Sequence, residues 1–221
     1  MGSQSALSVS CERHPIDGCD QELSSLAHEF VACFVRACAG VIAGVKPAAI
    51  FSFRCPDSDG RERGRLCELL RALSPALGER GIRLVAVARR RDRLQLLAWR
   101  PELVEQRLSD APTASFLASL GHPTSSARLL MGSLRQALCR YHQGSRSGFP
   151  HEVGLVLGYP LEDVQGYMRG ATETCRGPWR SYGDATQARQ RFRRLAEGER
   201  SCRVRYAQGM SLGALLERTP L

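Results

Sequence analysis

The chain has 221 residues, 43% of them hydrophobic and 24% charged. That is enough for one substantial core and too apolar for a wholly disordered chain. Thirty-one basic against 22 acidic residues leave a net charge of +9, a balance that invites nucleic acid or an anionic surface. Lys46 is the sole lysine and asparagine is absent, so the arginine excess reads instead as a coding preference, most of it a solvated coat.

Residues 1–20 are polar and are expected to form a loose arm ahead of a single globular domain over 21–221. From Glu22, the apolar positions Leu23, Leu26, Phe30, Phe34 and Cys38 recur in steps of three and four, which predicts a helix with Gly40 and Gly44 after it. The most apolar run, Phe30 to Gly44, spans about fifteen residues and contains Arg36; it reads as a buried helix, not a membrane span. Pro47 pushes Lys46 extended, and 48–53 suit a buried strand, so Lys46 is placed at a strand mouth. Residues 56–60 read as a loop.

Leu66, Leu69, Leu70, Leu73 and Leu77 mark a second amphipathic helix, ending near Gly78 and Gly81. The apolar runs 82–88 and 94–99 flank a charged tip, Arg89 to Arg93, and predict a β-hairpin. Pro101 opens a helix with Glu102 in its first turn. A short helix is expected over 113–120. A longer one follows Pro123, with Leu130, Leu134, Leu138 and Tyr141 inward and Gly144 as its stop.

The block Phe149-Pro150-His151-Glu152-Val153-Gly154-Leu155-Val156-Leu157-Gly158-Tyr159-Pro160 comes next. With Leu161 to Met168 it predicts a helical corner over 150–168, Pro150 and Pro160 each opening a helix and Gly158 at the turn. Residues 175–179 read as a turn-rich link. A long helix follows from Asp184 to Ala207, with the stripe Ala185, Ala188, Phe192, Leu195, Cys202 and Tyr206 interrupted by Glu199. Arg191, Arg193, Arg194, Arg200 and Arg205 lie off that stripe and are assigned to solvent, with anion binding as the minority reading. A last short helix covers 212–217. The fold class expected is α+β: a small, mostly antiparallel sheet covered by helices.

Several familiar motifs fail. Gly40-x-x-x-Gly44-x-Lys46 has the wrong spacing for a phosphate loop and no Ser or Thr after the lysine. His151-Glu152 begins like a zinc-protease helix, but Leu155 stands where the second histidine is needed. Nine cysteines contain no C-x-x-C pair, and no dedicated metal site is expected. No export leader is visible, so the thiols are expected to stay reduced in the cytoplasm, with no membrane association. The corner has helix-turn-helix spacing, yet its second helix opens Leu161-Glu162-Asp163, and two carboxylates facing phosphates argue against DNA reading.

The central block through Val164 resembles the signature of a bacterial family, domain of unknown function 3793. Cys38-Ala39, Lys46-Pro47-Ala48 and Phe51-Ser52-Phe53 are similar to its N-terminal motif, and Cys175, Trp179, Tyr182 and Gly183 to its C-terminal one, over about residues 30–210. The resemblance implies an origin in anaerobic bacteria and places Lys46 at a motif position; it implies no activity.

Three functions stay open. The first is a small-molecule, cofactor- or metal-handling protein, enzyme or not, whose site gathers Lys46, His151 and Glu152 for chemistry and Cys175, Trp179 and Tyr182 for ligand binding. A lysine can hold an anion, a His/Glu pair can move protons or ligate a metal, and Trp or Tyr can stack on a ring. The others are a nucleic-acid-binding regulator using the corner and the arginine-rich helix, and an interaction protein without chemistry. Cofactor identity and oligomeric state are not legible. Whether Lys46 and His151 face one pocket is the question a structure must answer.

Overall fold

The run Ala48-Ala49-Ile50-Phe51-Ser52-Phe53 sends alternate side chains to opposite faces, and that alternation organises the molecule. In the computed structural model, which describes residues 21–55, 60–144 and 148–217, it forms β1 (Ala48–Arg54). A hairpin of β2 (Arg83–Arg90) and β3 (Arg93–Trp99) joins it in the order β1-β3-β2, antiparallel throughout. Phe51 pairs with Leu96 and Phe53 with Leu94. The hairpin turns at Arg91 and Asp92, with Arg91 at φ 50°.

Both faces of this sheet are covered. On one face Ala49, Phe51, Phe53, Leu96 and Ala98 pack against α1 (Gln21–Ile42), α2 (Arg61–Glu79), α8 (Ala185–Ala207) and α9 (Leu212–Leu216). The ring of Phe30 in α1 lies 5.2 to 6.3 Å, centroid to centroid, from those of Phe34, Phe51 and Phe53, and Phe34 lies 5.8 Å from Phe51. Each such buried ring stabilises the fold by about 1.5–3 kcal/mol through water exclusion. On the other face Ala48, Val87, Leu97 and Trp99 pack against α3 (Pro101–Leu108), α4 (Ala111–Ser119), α5 (Ala127–His142), and the short helices α6 (Val153–Val156) and α7 (Leu161–Met168). The class is α+β.

Caps set several boundaries. Asp110, Ser126, Asp184 and Ser211 each accept a backbone N–H from three residues on, opening α4, α5, α8 and α9. The helices α1 and α2 end side by side, and Arg100 ties them. Its guanidinium is 3% exposed and donates to the carbonyls of Val41 (2.5 Å), Ile42 (2.8 Å) and Arg80 (3.1 Å). An arginine that composition assigns to a solvated coat is therefore an internal helix cap.

Four local expectations need correction. Gly40 lies inside α1, not after it: the helix kinks at Cys38 (φ −111°, ψ 18°) and runs on to Ile42. Residues 175–179 are not a plain link, because Cys175–Arg176 (β4) and Arg180–Ser181 (β5) form a small antiparallel hairpin. Tyr141 is exposed rather than inward, at 36%. The apolar run of α1 is longer than fifteen residues: Ser25–Ile42 has a mean hydropathy of 1.5 over 18 residues, long and apolar enough to span a bilayer by length and composition. In the fold its inward residues form the core against β1. The N-terminal arm, the tip of the loop after β1 (56–59), Cys11 and Cys19 lie outside the described residues.

Candidate functional site

The corner at 150–168 builds one wall of the site. The N–H groups of Val153, Gly154 and Leu155 donate to the carbonyls three residues back, so the chain coils tightly into a single-turn α6. Gly158 then takes φ 96°, which a side chain would resist. Pro160 caps α7 from outside rather than opening it, because Leu161 is the first helical residue. Gly154 is required by a neighbour: a Cβ there would lie 2.9 Å from Tyr159 Cδ2 and 3.0 Å from Val164 Cγ2. Without that methyl group the Tyr159 ring settles into the corner.

Asp163 joins the corner to the β4–β5 hairpin. It sits in the first turn of α7, as a carboxylate should, but its side chain is 3% exposed. Trp179 Nε1 donates to its Oδ2 at 2.7 Å. The Ser181 hydroxyl (2.8 Å) and the backbone N–H groups of Tyr182 (2.7 Å) and Gly183 (3.3 Å) donate to its Oδ1. A buried carboxylate is tolerable when donors saturate it in this way. The result fixes Trp179, whose ring stacks on Tyr159 (centroids 4.8 Å, 24° between planes) and meets Phe192 of α8 edge-on (4.6 Å, 86°).

Two cavities adjoin at this point. The first, of about 290 Å³, is bounded by the rings of Phe149, His151, Tyr159, Tyr167 and Trp179, with Asp163 and Arg180 as its charged members. Phe149, His151 and Tyr167 follow one another at centroid distances of 5.3 and 4.8 Å. Phe149 and Tyr167 remain 38% and 47% exposed, so ring surface is offered to solvent. The nitrogens of His151 make no hydrogen bond to any described residue, leaving both free for a ligand in a hollow lined mainly by rings.

The second cavity, of about 190 Å³, shares Leu157 and Trp179 with the first and is bounded by Lys46, Arg191 and Arg194. Lys46 leads from α1 into β1, its N–H bound to the Gly40 carbonyl at 3.0 Å. Gly158 passes so close that a Cβ there would lie 3.2 Å from Pro47 Cδ and 3.8 Å from Lys46 Cγ. Burial pushes the Lys46 ammonium below the usual lysine range, and the Glu199 carboxylate partly restores it. Glu199 is the residue that interrupts the apolar stripe of α8. Its carboxylate faces Gly40 beside Lys46, which accounts for the interruption. Burial raises the Cys38 thiol, keeping it protonated beside the lysine.

Lys46 and His151 therefore line different cavities that meet at Leu157 and Trp179. Trp179 belongs to both. Cys175 pairs in register with Ser181 and lines neither. The Tyr182 ring packs on Gly166, where no Cβ would fit, and its backbone serves Asp163. His151 and Glu152 point apart: Glu152 Oε1 lies 3.0 Å from Nε2 of His122, whose Nδ1 lies 2.9 Å from the Ser133 hydroxyl. This Ser133–His122–Glu152 chain ties α5 to the corner. Neither cavity is lined by any of the three, and His122 is 9% exposed. Among the described residues no three His, Cys, Asp or Glu side chains converge as metal donors.

Sequence reasoning placed neither Tyr159 nor Asp163 at a site, and gave Arg191 and Arg194 anion binding only as the minority reading. Asp163 carried a signal, an acidic residue in a helix that also bears the signature block, but nothing local announced its partners about 16 to 20 residues on.

Residues 34–216 match the model of a family described as protein of unknown function (DUF3793). No curated protein and no solved structure matches the chain. Because the match covers most of its length, the chain belongs to the DUF3793 family.

Proposed function

We propose that this DUF3793 protein binds a small molecule with a planar ring, seated in the cavity between the 150–168 corner and Trp179. The observation that carries this reading is the convergence of five rings on one hollow of about 290 Å³, with His151 as its unspent polar group. Ligand hollows are typically apolar with a few placed polar groups. The volume is at the small end of that class and suits one ring or a fused pair. The site's scaffold is unusually determined for a surface hollow: Asp163 immobilises Trp179, and Gly154 admits Tyr159 behind it. We place this activity in the cytosol.

The other readings draw less support. As a DNA-reading corner, α6 is a single turn, Asp163 is buried and consumed, and Glu162 is paired with Arg191 at 3.2 Å. Metal handling lacks a cluster of donors among the described residues.

Isothermal titration calorimetry with adenosine, nicotinamide and indole tests the ring site. At least one is expected to bind saturably, and Tyr167→Ala and His151→Ala are each expected to weaken it by about tenfold, the worth of one stacking or hydrogen-bonding contact. Absence of saturable binding by all three, with the protein folded, contradicts the proposal.

A further inference from the structure

We infer that the cavity beside Lys46 is an anion subsite that takes the phosphate monoester of the molecule whose ring occupies the adjoining aromatic cavity. This deepens the ring-binding reading and rests on it for the ligand's other half. The geometry supplies the case. The two cavities share Leu157 and Trp179, so one ligand of modest length reaches both.

The charge balance identifies the anion. Arg191 is engaged by Glu162 at 3.2 Å, and Glu199 is engaged by Arg203 at 2.8 Å. Lys46 and Arg194 also line the second cavity or its rim, and neither has a carboxylate within ion-pair distance among the described residues. Two unpaired cations facing one hollow match a dianion. Phosphate monoesters carry about that charge near neutral pH, whereas a carboxylate would leave one cation unsatisfied.

The lysine is itself informative. Of the 31 lysine and arginine residues, all the others are arginine, and here a half-buried ammonium is kept where burial disfavours it. A point charge with three donors on a flexible stem can bind one phosphate oxygen from a confined position. The Glu199 carboxylate beside it partly offsets the cost of burial.

The test compares adenosine with adenosine 5′-monophosphate by calorimetry at fixed low salt, with inorganic phosphate as a separate titrant. The wild type is expected to bind the monophosphate at least about tenfold more tightly than the nucleoside, the range of a charge-assisted contact. Lys46→Met is expected to erase that ratio, and Arg194→Ala, on an exposed face, to reduce it severalfold without disturbing the fold. Equal affinities for nucleoside and monophosphate, or a ratio unchanged in both variants, overturn the subsite and leave the ring site standing. If no nucleoside binds, inorganic phosphate decides: saturable binding abolished by Lys46→Met upholds the subsite while the ring reading fails, and no binding overturns it.

Discussion

The indole N–H of Trp179 donates to the buried Asp163 carboxylate at 2.7 Å, and that bond fixes the partition between the two cavities. It also joins two stretches that lie apart in the sequence. Asp163 comes from the first, and Trp179, Ser181, Tyr182 and Gly183 supply its donors from the second.

Replacing that carboxylate should be expensive. Asp163→Ala strands four donors in or near the interior, and each unsatisfied buried group costs about 1–3 kcal/mol. Urea denaturation is expected to show a loss of about 3 kcal/mol or more, with Trp179 emission shifted to the red. A loss under about 1 kcal/mol would mean that the hairpin holds Trp179 without Asp163.

Gly154→Ala tests the packing behind the aromatic cavity. The added methyl group would press on Tyr159 and Val164, and overpacking of this kind costs about 1–3 kcal/mol. The variant is expected to fold, to melt earlier, and to lose ring binding more than its stability loss explains, because Tyr159 is displaced from Trp179. Unchanged adenosine affinity would show that Tyr159 does not shape the hollow.

Lys46 offers a pH test, since the chain has no other lysine. Burial lowers its pKa from the ordinary 10.5. A base with a depressed folded pKa makes the unfolded state bind more protons between the two values, so stability rises with pH through that window and is lowest below the folded pKa. Lys46→Met should remove this dependence and raise the melting temperature at neutral pH while abolishing phosphate binding. Anion affinity should fall as pH rises through the lowered pKa. Acylation of Lys46 by an amine-reactive ester, followed by mass spectrometry, should proceed at lower pH than for a free lysine and should be blocked by adenosine monophosphate. Labelling that matches free lysine, or that the nucleotide leaves untouched, would contradict this account.

The Ser133–His122–Glu152 chain is a structural tie. His122→Ala is expected to destabilise the protein by about 1–3 kcal/mol, with ligand affinities within twofold of wild type once the protein is folded. A change in affinity well beyond twofold would instead place Glu152 in the functional machinery.

The fold was largely legible. Steps of three and four located α1, α2, α5 and α8, and the run after Pro47 located β1, because burial of one face imposes that period whatever the partner. Gly40 misled, since its role is close approach to Lys46 and Glu199, a tertiary contact with no local signature. The site was half legible. Lys46 and Trp179 stood out as rare residue types, and both line cavities. His151 and Glu152 are adjacent in sequence, yet successive positions in a tight turn diverge, and Glu152 meets a histidine 30 residues away. Arg191 and Arg194 fell outside the apolar stripe and so read as solvent-facing. Their cavity exists only because the 158 turn and Trp179 come to lie against α8.

The most direct measurement is 19F NMR of the 5-fluorotryptophan-labelled protein, which has two tryptophans, Trp99 and Trp179, assigned with a Trp99→Phe variant. Trp99 lies in the core beneath the sheet at 7% exposure, while Trp179 borders both cavities. On titration with adenosine 5′-monophosphate the Trp179 resonance is predicted to shift saturably while that of Trp99 stays in place. A Trp179 resonance that does not move up to millimolar nucleotide, in a folded protein, would contradict a ligand site at the junction of the two cavities.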